Sequence, residues 1–244
     1  MGTYIGLASW RPYSLKVWIF VEGESDRIAL TALWEEWRES LKGSQWGFRI
    51  IPLENKSKFF RKIGPRAAEK LANNGNDVVV GLPDLYPNHE YVNSCFRHTD
   101  INELKRVQTE LVRKSLAEVY SFSADRIEGA LGRFYGTALK HDLEMLLLAA
   151  TDELRKVLGT PDTLGNWRHP VEDQNQMTPP KRIVEELFLT KKRKRYRDTV
   201  HAKAVLEKVQ TIKKILYRNE TELQCPVFKS LLDWVGNRTG IPAY

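Results

Sequence analysis

Three short apolar segments, separated by helical patterns, constrain the fold of this 244-residue chain more than any other feature. They lie at residues 16–21, 48–53 and 77–82. Each is rich in β-branched and aromatic residues, which is typical of a strand that is buried on both faces. Strands that alternate with helices are joined by right-handed crossovers, so this pattern predicts a parallel sheet in an α/β fold.

Amphipathic patterns between and after these strands predict the helices. We expect helices over residues 25–41, 57–71, 102–119 and 142–158. The second of these is interrupted by Gly64 and Pro65, and residues 134–139 are a candidate fourth strand. His141 and Glu144 are three residues apart at the start of the 142–158 pattern, so we expect them to share a helix face.

A polar stretch with four prolines, residues 160–180, separates these elements from a basic helical segment. We therefore expect two regions, an α/β core over residues 1–160 and a helical C-terminal extension over residues 161–244. Within the extension, Val205, Val209, Ile212 and Leu216 are spaced as on one face of a continuous helix. A last short helix is expected over residues 227–235.

Positive charge is concentrated in one part of the chain. The whole chain carries a formal net charge of +7. Residues 181–218 contain 13 lysine and arginine residues and four acidic ones, a net +9, so the rest of the chain sums to −2. This distribution favours a polyanionic partner, although composition alone does not separate nucleic acid from anionic lipid or an acidic protein.

The densest part of this basic segment is a run of seven residues. The predicted nucleic-acid-binding residues are Lys191, Lys192, Arg193, Lys194, Arg195, Tyr196 and Arg197. Six cations can neutralise phosphates, and the single aromatic ring is expected to stack on a base. The alternative is a solvated charged loop that binds no ligand.

Two acidic residues follow predicted strands at the points where those strands end. Glu22 follows the first strand, and Asp84 follows the third about 60 residues later, the spacing of two βαβ units of about 30 residues each. Ligands of open parallel sheets bind at this edge, and Mg²⁺ prefers carboxylate oxygens together with water and phosphate. The pair therefore predicts a divalent-cation site. The alternative is that both residues only cap the helix and turn that follow.

Several motifs of the chain, taken together, resemble those of Toprim domains, the topoisomerase–primase fold, in which a strand-end Glu-Gly lies near Mg²⁺. More closely, the chain resembles a bacterial family of Toprim-like proteins of unassigned function. The resemblance extends over residues 16–234. The motifs that carry it are Val21-Glu22-Gly23, Asp84-Leu85-Tyr86, His141-Asp142-Leu143-Glu144, Pro179-Pro180-Lys181-Arg182, Cys225-Pro226-Val227-Phe228 and Trp234.

The resemblance implies a Toprim-like parallel sheet of about four strands with flanking helices. It also implies that Glu22, Asp84 and Glu144 hold Mg²⁺ or Mn²⁺, with Glu22 as a candidate general acid or base. His141 is expected to orient or contact phosphate. Toprim domains carry Asp-x-Asp on the third strand, whereas this chain keeps only the first acid. Two-metal chemistry would therefore require Asp142 or Glu144 as a substitute.

The wider group includes nucleases of the overcoming-lysogenization-defect type and antiphage effectors that pair with an ATPase. The resemblance therefore implies a metal-dependent nuclease of DNA or RNA that acts in bacterial antiphage defence with an ATPase partner. One alternative is a catalytically inactive nucleic-acid-binding or regulatory subunit of an ATPase complex. Another is a structural partner that docks on an ATPase through its C-terminal helices. The sequence leaves homo-oligomerisation open.

Other classes of protein are disfavoured by what the sequence lacks. It contains no Walker motif and no Gly-x-Gly-x-x-Gly, so ATP hydrolysis and dinucleotide binding by the chain itself are not expected. The histidines and cysteines lack zinc-site spacing, and no apolar run approaches the roughly 18 residues of a membrane span. Residues 1–10 lack the features of a signal peptide, so we expect a cytoplasmic protein with free thiols at Cys95 and Cys225.

Overall fold

The computed structural model describes residues 15–88, 91, 93–174 and 176–244. Its central sheet consists of β1 (Leu15–Val21), β2 (Trp46–Pro52), β3 (Val78–Leu82) and β4 (Phe134–Gly136). All neighbouring strands are parallel, in the order β2-β1-β3-β4. The predicted α/β class with about four parallel strands is confirmed. Residues 1–14, on which the absence of a signal peptide was predicted, lie outside the described residues.

Helices flank the sheet and form most of the C-terminal region. In chain order they are α1 (Glu24–Leu33), α2 (Glu35–Gly43), α3 (Lys56–Asn73), α4 (Ile101–Tyr120), α5 (Ala124–Leu131), α6 (Glu144–Ala149), α7 (Thr151–Leu158), α8 (Pro180–Lys191), α9 (Asp198–Leu206), α10 (Lys213–Leu216) and α11 (Pro226–Thr239). A short antiparallel hairpin, β5 (Tyr217–Arg218) and β6 (Glu222–Leu223), precedes α11. Within the described ranges, every helix falls short of the length and apolar character that a membrane span requires.

Both faces of the sheet are covered, and β1 shows how its sequence fits this position. Val17, Ile19 and Val21 pack into the core on one face, whereas Phe20 packs into the core on the other. Helices α3, α4 and α5 cover the Phe20 face, and α1, α2 and the C-terminal helices cover the opposite face. Because all four side chains are fully buried, the apolar run has no exposed position.

The C-terminal region completes the core on the face that α1 and α2 cover. Phe228 of α11 stacks on Trp34, with ring centroids 5.9 Å apart. The Trp37 Nε1–H group donates a hydrogen bond to the Ile241 carbonyl at 3.1 Å. Residues on both sides of the predicted boundary at residue 160 therefore share one hydrophobic core.

Three predicted helices are broken in the structure. The 25–41 pattern forms α1 and α2, which meet at Trp34. The 142–158 pattern begins as a helix only at Glu144 and breaks at Ala150, and the 205–216 pattern is divided between α9 and α10. Periodicity identified the buried residues in each case. It did not locate the breaks, because these depend on tertiary packing rather than on the apolar spacing.

The 57–71 pattern shows the opposite error, since α3 continues through Gly64 and Pro65. A Cβ atom at Gly64 would lie 2.6 Å from the Leu111 carbonyl oxygen of α4. Glycine at this position therefore allows the close approach of two helices and does not end one of them.

The strand order places the two predicted strand-end acids on neighbouring strands. The chain passes from β1 to β2 on one side and then returns to form β3 on the other side of β1. A reversal of this kind leaves a crevice at the carboxyl ends of the two central strands. Val21 and Leu82 are paired in register at these ends, so Glu22 and Asp84 emerge at the same place.

Candidate active site

Glu22 and Asp84 meet at the carboxyl edge of the sheet. The Asp84 backbone N–H donates a hydrogen bond to Glu22 Oε1 at 3.1 Å. A parallel bridge between Asp84 and Leu139 fixes the Asp84 backbone beyond the end of β3. The structure thus brings together the two acids that the strand pattern singled out.

A cleft of about 260 Å³ opens at this edge. Among the described residues, six carboxylates and two lysines contribute to its lining: Glu22, Asp26, Asp84, Asp142, Glu144 and Asp198, with Lys56 and Lys181. When all of these groups are ionised, six negative charges face two positive ones. We refer to this group of eight side chains as the carboxylate cleft.

Asp26, Asp198 and Lys181 were not predicted as site residues. Asp26 lies in the first turn of α1, and its Oδ2 accepts a hydrogen bond from the Gly23 N–H at 2.9 Å. Its position in the first helical turn directly after the strand-end Glu22 was a usable signal. Asp198 and Lys181 begin α9 and α8. Only the packing of these helices brings them to the cleft. No motif marks Asp198, whereas Lys181 belongs to the Pro179-Pro180-Lys181-Arg182 motif, which indicated the family but no role at a site.

Burial and mutual repulsion raise the pKa values of the carboxyl groups in the cleft. Burial is the largest cause at each group. The pKa of Asp26 rises to about 6 and that of Asp142 to about 7, with Glu144 adding repulsion in both cases. The pKa of Asp84 is raised well above its usual value, where Glu22 is the next cause, and the pKa of Glu144 is raised as well. These shifts show that the protein itself does not fully neutralise the cleft.

The two lysines compensate for only part of this charge. Burial opposes protonation of Lys181, but Glu144 and its acidic neighbours raise its pKa. The Lys181 backbone N–H also donates a hydrogen bond to Asp142 Oδ2 at 3.1 Å. Lys56, at the start of α3, lowers the pKa of Asp84. The second Asp142 oxygen, Oδ1, is buried and has no hydrogen-bond partner among the described residues.

The donor set of the cleft fits Mg²⁺ in chemistry, although it is not a complete metal site. Among the described residues, no three His, Cys, Asp or Glu side chains form a group that could hold a metal ion. Mg²⁺, however, usually keeps several waters and binds through one or two carboxylates plus substrate phosphates. The contact between Glu22 and Asp84 and the unpartnered oxygen of Asp142 meet this smaller requirement.

His141 is absent from the side chains that line the cleft. It precedes α6, so it does not share a helix face with Glu144 as predicted. Its ring is 3% exposed and packs on Tyr86 with a centroid distance of 5.6 Å. Burial lowers its pKa and so favours the neutral form. His141 thus packs behind Tyr86, outside the lining of the cleft, and its expected role toward phosphate stays a prediction.

The cations of the basic run differ in their contacts with the rest of the protein. The Lys191 ammonium pairs with Asp162 at 2.9 Å, and the Lys192 ammonium donates a hydrogen bond to the Val157 carbonyl, so both are tied to the body of the protein. The other four cations, Arg193, Lys194, Arg195 and Arg197, are exposed, as is Lys191. These four residues are the ones placed to contact a phosphate backbone.

Tyr196 points inward, unlike its charged neighbours. The residue is 7% exposed, and its ring packs on Phe188 at 5.1 Å and on His201 at 5.8 Å. Burial, and next the charge of Glu144, raise the pKa of its hydroxyl. The prediction that Tyr196 stacks on a base is wrong, because the ring is enclosed by the protein.

The fold and the site together define an α/β protein with a carboxylate cleft at the switch point of a parallel sheet. The chain belongs to the family described as a domain of unknown function, DUF4276, whose model matches residues 21–236. The expected membership in a family of unassigned function agrees with this match. The relationship of the family to Toprim domains stays a prediction.

No curated protein matches the chain. Among solved structures, the chain is similar to the C-terminal region of the Xanthomonas campestris pv. campestris OLD protein. The identity is 13%, the match covers 91% of this chain and 97% of that chain, and the TM-score is 0.38. Similarity at this level establishes neither a shared fold nor a shared function.

Proposed function

We propose that this protein is a nuclease that depends on a divalent cation and cleaves phosphodiester bonds of DNA or RNA. The observation that carries the proposal is the contact between Glu22 and Asp84, 3.1 Å from backbone nitrogen to carboxylate oxygen, at the carboxyl edge of the sheet. This contact lies in a cleft where acids outnumber lysines six to two. A surplus of buried negative charge favours the binding of a cation.

Glu22 and Asp84 are the proposed ligands of Mg²⁺ or Mn²⁺, with Glu144 supplying a further oxygen. When bound, the cation neutralises the negative charge that develops on phosphoryl oxygens. Lys56 and Lys181 place positive charge at the same opening, where it attracts a phosphate group.

A carboxyl group of the cleft that does not hold the cation is free to transfer a proton. A pKa near the working pH suits general acid–base catalysis. Asp142, with a pKa of about 7, fits this requirement, so we move the acid–base role expected of Glu22 to Asp142.

The substrate surface in this proposal is the exposed part of the basic run. Arg193, Lys194, Arg195 and Arg197 are exposed on the loop that leads into α9, whose first residue, Asp198, lines the cleft. Phosphates bound along this loop would therefore continue toward the carboxylates. The proposal further includes an ATPase partner and a role in antiphage defence, both of which rest on the motif resemblance alone.

Cleavage assays test the proposed function directly. Supercoiled plasmid and tRNA are incubated with the purified protein in Mg²⁺, Mn²⁺ or EDTA, with and without a candidate ATPase partner. We expect cleavage that needs the cation and is lost in Glu22→Gln and in Asp84→Asn. Cleavage in EDTA, or cleavage that both variants retain, contradicts the proposal.

The second candidate function is a nucleic-acid-binding subunit without catalysis. It is favoured by Tyr86, which lines the cleft at the sequence position where Toprim domains carry the second acid of Asp-x-Asp. Under this alternative, the protein binds nucleic acid with the salt dependence of phosphate contacts but binds no Mn²⁺ and cleaves neither substrate.

A further inference from the structure

We propose that the protein binds a guanine nucleotide in a second cavity, away from the carboxylate cleft. This cavity has a volume of about 890 Å³ and lies between the first turn of α7, α10, the β5–β6 hairpin and Tyr244. Its volume is within the usual range for small-ligand sites, about 300–1,000 Å³. None of the described residues that line it also lines the cleft, so the inference does not depend on the proposed function.

Glu153 supplies a buried carboxylate to the second cavity. The residue is 2% exposed and contributes to the lining. Among the described residues, its carboxylate meets one cation, the Lys214 ammonium at 3.7 Å, and this separation exceeds hydrogen-bond distance. A buried carboxylate that lacks hydrogen-bond donors costs free energy, and a ligand that supplies N–H groups removes this cost.

Buried contacts hold the two sides of the second cavity together. Gln224 is 3% exposed, and its side-chain amide donates hydrogen bonds to the Lys214 carbonyl at 3.2 Å and to the Ala149 carbonyl at 3.5 Å. Ala149 ends α6, and α7, which carries Glu153, begins two residues later. The fold therefore sets the separation between the buried acid and the lysine before any ligand arrives.

The tip of the β5–β6 hairpin adds an unusual backbone to the lining. Asn219 and Glu220 both have a left-handed conformation, with φ 49° and 66°, and both line the second cavity. This conformation is uncommon for residues other than glycine, and such residues cluster at functional and ligand-binding sites.

The side chains of the second cavity specify three properties of a ligand. The two oxygens of Glu153 accept two N–H groups that lie side by side. The rings of Tyr217 and Tyr244 offer apolar surface on which a planar ring stacks. The exposed ammonium groups of Lys213 and Lys214 attract an anionic group.

A guanine nucleotide combines these three properties. The guanine ring is planar and carries two neighbouring donors, N1–H and the N2 amino group, on one edge, and the phosphate supplies the anion. Adenine, cytosine and uracil lack two neighbouring nitrogen donors on the corresponding edge. The buried carboxylate therefore favours guanine over the other bases.

Calorimetric titration with guanosine monophosphate (GMP) tests the inference. EDTA is present, so that no divalent cation occupies the cleft. We expect the wild-type protein to bind GMP at least about 10-fold more tightly than adenosine monophosphate (AMP), because adenine cannot give Glu153 two neighbouring N–H groups. The control variant Glu36→Gln, at an exposed residue of α2, should bind both nucleotides as the wild type does.

Two variants separate the contact with the base from the contact with the phosphate. Glu153→Gln keeps the shape of the side chain but cannot accept two N–H groups, so the preference for GMP over AMP should fall below about twofold. Lys213→Gln should weaken GMP binding by about twofold to fivefold and leave the binding of guanosine, which has no phosphate, unchanged. Should Glu153→Gln fail to fold, the exposed position of Lys213 still allows this second comparison.

The same chemistry is offered by a free nucleotide and by a guanosine within an RNA strand. Titration with a short RNA that contains one central guanosine distinguishes the two sources. GMP that binds more tightly than this RNA identifies a free nucleotide as the ligand. Tighter binding of the RNA that is lost in Glu153→Gln identifies a guanosine within a strand.

Several results would overturn the inference. These are no saturable binding of GMP or of the RNA below about 1 mM, equal affinities for GMP and AMP, or an unchanged preference in a folded Glu153→Gln. Equal weakening of GMP and guanosine in Lys213→Gln would also contradict it. None of these results bears on cation-dependent cleavage at the cleft, and a failure of cleavage leaves the nucleotide titration as it is.

Discussion

Glu172 and the carboxylate cleft are both buried and acidic, but they differ in what surrounds the charge. Glu172 is fully buried, and its two oxygens accept hydrogen bonds from the backbone N–H groups of Val227 and Phe228, at 2.8 and 2.9 Å. Burial raises its pKa to about 7, and these two bonds oppose the shift. In the cleft, Asp142 has a similar pKa, yet one of its oxygens has no partner among the described residues.

The difference distinguishes an acid whose two oxygens the fold supplies with hydrogen-bond donors from an acid whose oxygens the fold satisfies only in part. Glu172 satisfies two of the free N–H groups at the start of α11, and the helix dipole favours its charge. In the cleft, the N–H groups of Gly23, Asp84 and Lys181 each satisfy one oxygen of a carboxylate, and the carboxylates repel one another. A raised pKa alone therefore does not mark a functional site. Acceptors that the fold leaves unsatisfied are the better indication.

The largest expected effect is the loss of cleavage in Glu22→Gln. This change removes a proposed ligand charge but keeps the shape of the side chain and an oxygen for the Asp84 N–H. Cation-dependent cleavage should fall by at least about 100-fold. Affinity for nucleic acid should stay the same or rise, because a repelling charge is lost. Gel assays with Glu36→Gln, an exposed residue of α2, as the control would contradict the assignment if both variants cleave equally.

Glu172→Ala should show the opposite pattern, with a loss of stability and no loss of ligand binding. The change leaves the Val227 and Phe228 N–H groups without their acceptor in a buried place, at about 1–3 kcal/mol for each unsatisfied group. We expect the free energy of unfolding in urea to drop by about 2–4 kcal/mol. Mn²⁺ affinity, measured where the variant is folded, should not change. Weaker Mn²⁺ binding in the folded variant would contradict the claim that Glu172 has only a structural role.

Asp142→Asn should stabilise the protein, but only at higher pH. The folded-state pKa of Asp142, about 7, lies above the usual unfolded value of about 3.9. The contribution of protonated Asp142 to the stability of the folded protein is therefore fully present below about pH 4. It is lost as the pH rises through 7. Asparagine removes this loss, so we expect a gain of about 1–2 kcal/mol at pH 8 and little change at pH 4.

Urea unfolding at the two pH values, without divalent cations, measures this effect. Equal changes in the free energy of unfolding at pH 4 and pH 8 would show that the Asp142 charge does not destabilise the folded protein. Weaker Mn²⁺ binding by the same variant would show that the Asp142 charge, which destabilises the folded protein at pH 8, contributes to cation binding in the cleft.

The smallest expected effect per residue concerns the exposed cations of the basic loop, residues 192–197 between α8 and α9. Each lost phosphate contact should reduce the slope of log K against log salt by about 0.9 on duplex DNA or about 0.7 on single strands. Stability should hardly change, because exposed charges contribute little to it. The variant replaces by glutamine Arg193, Lys194, Arg195 and Arg197.

The control variant has the same change in charge at exposed positions away from the loop. It replaces by glutamine Lys42, Lys58, Lys114 and Lys208. Filter binding at several salt concentrations compares the two variants. Equal slopes in both would show that only the net charge of the chain matters, and that the loop has no special part in binding.

Local patterns predicted the sheet and the pair of strand-end acids. The apolar runs of β1 and β3 are contiguous in sequence, and strand ends of a parallel sheet must share an edge. The place of Asp198 and Lys181 in the cleft could not be predicted, since both reach it only through the packing of α9 and α8, although Lys181 lies in a motif of the family resemblance. Tyr196 was misjudged because its charged neighbours suggested exposure. The alternation of an extended segment explains why one aromatic residue among cations faces inward.

The central claim is that the fold leaves the carboxylate cleft to be completed by a divalent cation. Calorimetric titration of Mn²⁺ into the wild-type protein, Asp84→Asn and the control Glu36→Gln tests it most directly. We predict saturable binding that weakens at least about 10-fold in Asp84→Asn and is unchanged in Glu36→Gln. Binding of equal strength in all three proteins, or no saturable binding by the wild type, would contradict the claim.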